Sequence, residues 1–128
     1  MFFENYSEGF ESLIAKSADY TNKPFKHSVV KINGFGEIES EDFDLTVNIL
    51  CRDIDGRRFD IDDLELEVFK SNKELVFVVS KLNFPNDPML WSGNKNLWMN
   101  SKTGKKCVPP YYSCKLENLT NKIRNLLI

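Results

Sequence analysis

The chain has 128 residues, of which 41% are hydrophobic, 12% aromatic and 28% charged, with a formal net charge of −2. That length suits one domain with a real core, and that composition excludes a disordered chain. No apolar run is long enough to cross a bilayer, and the opening MFFENYSEGF lacks the order of a secretion signal, so a cytoplasmic protein is expected.

The first element reads as a helix. Asn5 with Glu8 forms a loose capping box, Ser7 is the rival cap, and Phe10, Leu13, Ile14 and Ala18 share one face. Glu8, Glu11, Lys16 and Asp19 make the solvated face, and Pro24 requires that the helix has ended.

From Lys26 to Leu82 the apolar period falls to two. His27, Val29 and Lys31 alternate with Ser28, Val30 and Ile32, and Gly34 and Gly36 permit a bulge or bend. Phe43, Leu45, Val47, Ile49 and Cys51 form one face of the next strand. Asp55-Gly56 signals a type I′ hairpin, with Phe59 and Ile61 beginning the return strand. Asp62-Asp63 then shifts the phase by one residue, as a bulge would, before Leu64, Leu66 and Val68. Ser71-Asn72-Lys73 is the next turn, and Leu75 to Leu82 is apolar enough for a central strand.

The run Asn83-Phe84-Pro85-Asn86-Asp87-Pro88 breaks the sheet. Two short strands are expected at 89–92 and 97–100, followed by a turn at Thr103-Gly104 and an extended segment at Pro109-Pro110. A second helix closes the chain on Leu116, Leu119, Ile123, Leu126 and Leu127, with Ser113 as its cap and Lys122 and Arg124 near its negative end. The whole reads as one α+β domain over 1–128, an antiparallel meander packed on the N-terminal helix.

Charge is divided along the chain. Residues 37–67 carry twelve carboxylates against three arginines, whereas residues 88–116 hold both tryptophans, five lysines and no acid. Composition tempers this: thirteen lysines, four arginines, thirteen asparagines, two alanines and no glutamine suggest an AT-rich genome, so single lysines weigh less.

No catalytic or metal motif stands out. The acids Asp53, Asp55, Asp60, Asp62 and Asp63 fail as a calcium loop, since Gly56 comes fourth and Arg57-Arg58 follow it. A hairpin with an acidic flank is the expectation. His27 is the only histidine, and a strand residue with one ordinary hydrogen bond is the simpler reading. Gly34-Phe35-Gly36 lacks the third glycine of a dinucleotide fingerprint. Cys107 and Cys114 have no zinc-site spacing, and Cys51 reads as a buried strand residue. Three cysteines in a reducing compartment do not make a disulfide framework, although Cys107 and Cys114 are near enough in sequence to bridge on oxidation. No cofactor is expected.

The stretch PMLWSGNKNLWMNSKTGKKCVPP and the hairpin NILCRDIDGRRFDI resemble a small uncharacterised cyanobacterial family with a cystatin-like fold. That resemblance implies a curved sheet around the N-terminal helix and brings no catalytic residues with it. Cystatins inhibit cysteine proteases through a QxVxG hairpin and a Pro-Trp loop, and this chain has neither a glutamine nor a Pro-Trp pair.

The leading functional reading is a non-enzymatic binding module. Lys95, Lys102, Lys105 and Lys106 would steer an acidic protein, and Trp91, Trp98, Tyr111 and Tyr112 would hold it. Either tryptophan could instead fill the core. The alternative is a small-molecule pocket or weak active site on the inner face of the sheet, lined by Trp91, Trp98, Tyr111 and Cys107. Single-stranded nucleic acid is a third option, disfavoured by the scarcity of arginine and a pI near 5.5. The oligomeric state stays open, with self-association through sheet edges among the options.

Overall fold

The computed structural model describes residues 6–127, with side chains from residue 9 onward. A helix α1 (Tyr6–Thr21) is followed by strands β1 (Lys26–Phe35) and β2 (Asp44–Arg52), a 3-10 turn (Asp60–Asp62), and strands β3 (Leu64–Ser71), β4 (Glu74–Lys81), β5 (Met89–Ser92) and β6 (Asn96–Met99). Helix α2 (Ser113–Leu126) comes last. The six strands lie side by side in chain order, every neighbouring pair antiparallel, so the expected α+β meander is what forms.

Alternation decides which side is covered. Val47, Leu66, Val79, Leu90 and Trp98 are in register across β2 to β6, and all five are buried. Both helices lie on this inner face, α1 against β1 and β2, α2 against β5, and the two against each other. Phe10, Leu13, Ile14 and Ala18 of α1 and Leu116, Leu119 and Ile123 of α2 complete one core. Burying a side chain of this size contributes about 1.5–3 kcal/mol, so these two apolar stripes hold the helices in place.

Several local expectations are corrected. Asn5 lies outside the described residues, and Ser7 falls inside α1 rather than capping it. The bulge in β1 sits between Lys31 and Asn33, ahead of Gly34, and Gly36 ends the strand at φ 76°. Residues Asp55 and Gly56 do not form a type I′ turn, because only Gly56 has positive φ. Asp53 organises that loop instead, its Oδ1 accepting the amides of Asp55 (2.9 Å) and Arg57 (3.0 Å).

The return after that loop is one bridge between Arg52 and Arg58, and the phase shift at Asp62-Asp63 is a 3-10 turn rather than a bulge. A hairpin with two positive-φ residues does occur, at Asn72 (φ 53°) and Lys73 (φ 69°), joining β3 to β4. At α2 the cap position is Tyr112, without a side-chain cap bond, and Ser113 is the first helical residue.

Candidate functional site

The inner face is not filled to its end. Where the last turn of α1, the start of β1, the 3-10 turn, the end of β4 and the start of α2 converge, a cavity of about 160 Å³ remains. Ala18, Ile61, Leu64, Leu116 and Leu119 give it apolar walls, and Asn22, His27, Asp62, Lys81 and Lys115 give it a polar floor.

His27 points inward because it shares strand parity with Val29, opposite Cys51 of β2. Its side chain is only 3% exposed. Asp19, in the last turn of α1, accepts at one oxygen both the His27 backbone amide (2.8 Å) and ring Nδ1 (2.9 Å). A donor at Nδ1 leaves Nε2 as the acceptor, and the Asn22 amide nitrogen lies 3.2 Å from it. That amide also donates to Asp62 (3.3 Å).

Asp62 in turn faces two lysines. Lys81 Nζ lies 3.5 Å from one oxygen and Lys115 Nζ lies 4.0 Å from the other. Lys81 is buried at the end of β4, where it donates to the Ile61 carbonyl (3.0 Å) and sits 4.7 Å over the Tyr112 ring. A buried ammonium needs such partners to offset its lost hydration. Tyr112 donates to Asp87 (3.2 Å), and burial, followed by the Asp87 charge, pushes its phenol up.

Cys51 lies behind the floor, 3.9 Å from the Asn22 amide. Burial, with Asp62 and Asp63 adding, pushes its thiol up to about 11, so it stays protonated near neutral pH and offers no nucleophile to His27. Beyond it Asp63 accepts the Cys51 backbone amide (2.7 Å) and both Arg58 guanidinium nitrogens (2.5 and 3.1 Å). This second cluster braces the site and faces away from the cavity.

The residues expected to act together separate. Tyr111 and Tyr112 line the cavity, with Tyr111 97% exposed at its rim. Trp98 is 3% exposed inside the core, its indole N–H donating to Glu117 (2.7 Å). Trp91 lies on the opposite face of the sheet, 36% exposed and edge-on to Phe69 at 5.6 Å. Lys95 precedes β6, while Lys102, Lys105 and Lys106 follow it, so they flank opposite ends of that strand. Trp91, Trp98 and Cys107 therefore do not line the cavity, contrary to expectation: Trp91 has the wrong strand parity, and the core takes up Trp98 and the inner side of Cys107.

Asp19, Asn22, His27, Asp62 and Lys81 were not foreseen as a group. One signal was present, a lysine at an inward position of the most apolar strand, in step with Phe77 and Val79.

The fold and site define an α+β domain with a meander sheet, two helices on one face and a polar-floored cavity beneath their meeting ends. The chain belongs to the family described as Domain of unknown function (DUF8659), whose model matches residues 11–126. No curated protein and no solved structure matches the chain.

Proposed function

We propose that this protein binds a small molecule in the cavity beneath α1 and α2. The observation that carries the reading is a void of about 160 Å³ whose apolar walls end on a convergent set of polar groups. A cavity of roughly 150 Å³ holds one benzene-sized molecule, so the ligand is about one ring in size. It carries a polar group able to pair with Asn22, Asp62 and Lys115. Binding fits better than catalysis, because the Asp19–His27 pair has no activated nucleophile beside it.

Native mass spectrometry of protein purified gently from its own host, against a denatured control, tests this directly. Extra mass that vanishes on denaturation is expected. Ala18→Leu, which fills the cavity from α1 while keeping a good helix former, should lose that mass and stay folded. A bare chain from the host, with no single-ring compound shifting its melting temperature, would remove the reading.

A second reading, an acidic protein partner, is favoured by the exposure of Lys102, Lys105, Lys106, Val108 and Tyr111 within one segment. Neutralising Lys95, Lys102, Lys105 and Lys106 should slow that association and flatten its salt dependence. A cystatin-like fold, supported by α1 lying across β1 and β2, and a cyanobacterial origin, supported by the lysine- and asparagine-rich composition, belong with these proposals. So does a cytoplasmic location; among the described residues no helix is long and apolar enough to cross a membrane.

A further inference from the structure

Among the described residues no helix lies on the outer face of the sheet. One register row crosses all six strands there: Asn33, Thr46, Glu67, Val78, Trp91 and Leu97. The strands span about 24 Å at their usual spacing of about 4.8 Å. The centre of this face is apolar, built from Phe69, Val78, Met89, Trp91, Leu97 and Met99, with the Trp91–Phe69 pair at its middle.

Charge of opposite sign lies on either side of that centre. On β2 and β3 the same face carries Asp44, Glu65 and Glu67, while the cations of that side, Lys26 and Arg52, pair with each other in register at the opposite end of β1 and β2 from Asp44. Burial, followed by Asp44, raises the Glu67 carboxyl, which marks this side as crowded with negative charge. Beyond β6 the chain returns to pair Lys106 with Met99, placing Lys106 on the same face at the other side.

We propose that this face is a self-association surface, on which a second copy of the chain packs sheet to sheet about a two-fold axis parallel to the strands. Rotation about such an axis exchanges left and right. The acidic side of one copy then meets the Lys106 side of the other, and the two apolar centres coincide. A surface bearing both signs about an apolar middle is self-complementary under that operation, whereas a uniformly acidic face would repel its copy. Aligned sheet packing of this kind is how two apolar sheet faces are ordinarily covered.

Sedimentation equilibrium of the full chain tests the proposal. A dimer is expected at about 100 μM, well above the micromolar affinity of a weak specific interface. Trp91→Glu should abolish it. Glu65→Lys alone and Lys106→Glu alone should each weaken it about tenfold or more, since Glu65 shares the register row of Lys106 and the axis preserves position along the strands. The double variant Glu65→Lys with Lys106→Glu should recover dimerisation, because the exchanged charges face each other again. Far-UV circular dichroism and thermal unfolding report folding, and the charge variants carry the test if Trp91→Glu does not fold. A monomer at that concentration overturns the proposal and leaves the face to another protein. A double variant no better than the singles overturns it as well.

Discussion

Asp63 shows how one carboxylate holds together three parts of the chain. It accepts the Cys51 amide at the end of β2, the Arg58 guanidinium from the following loop and a contact from Asn83 beyond β4. Burial alone would raise its pKa. The Arg58 hydrogen bond, the Cys51 amide and the Arg58 charge outweigh that and hold it below the usual carboxylate range. A depressed folded value means the unfolded chain binds the proton more readily. The stabilisation is then complete above the unfolded value of about 3.9 and is lost as the pH falls through the folded one. Asp63→Asn should therefore flatten the acid limb of the stability–pH curve, as measured by urea unfolding below about pH 5. Asp63→Ala strands the buried Cys51 amide and should cost about 1–3 kcal/mol at neutral pH.

Among the elements, the loop after β2 is the place to separate backbone strain from packing. Gly56 has φ 82°, and a Cβ added there meets nothing within 4 Å. Gly56→Ala should then cost about 1–2 kcal/mol from left-handed backbone alone, seen as a lower melting temperature with no change elsewhere in the spectrum. The same loop marks where reading from sequence ran out. Alternation exposed the buried face of β2 from Leu45 to Cys51, and the helical stripe Phe10, Leu13, Ile14 and Ala18 was equally plain, because each pattern is local. The Asp53 side chain changed the turn type, and the 3-10 turn at Asp60–Asp62 imitated a bulge. The site was hidden for a different reason. Asp19 and His27 are close in sequence, but Asp62, Lys81 and Lys115 reach them only through strand register and the docking of α2. No spacing rule within a single segment encodes that meeting.

At the scale of the whole molecule, every strand pairs with its neighbour in the chain, and among the described residues the contact of α1 with α2 joins segments almost a chain length apart. Closing a short hairpin costs less entropy than closing a long loop, so the contacts of the sheet are accessible early and the helix pair forms against them. Leu119, buried in α2, reads out this order. Leu119→Ala should destabilise by about 2–5 kcal/mol, mainly by accelerating unfolding while refolding stays near the wild-type rate in stopped-flow experiments. A refolding rate that fell in proportion would place α2 in the folding nucleus. Because the cavity is roofed by α1 and α2, opening α2 locally would widen it without unpairing any strand. If a small molecule binds there as proposed, the same late clasp that finishes folding would serve as its door.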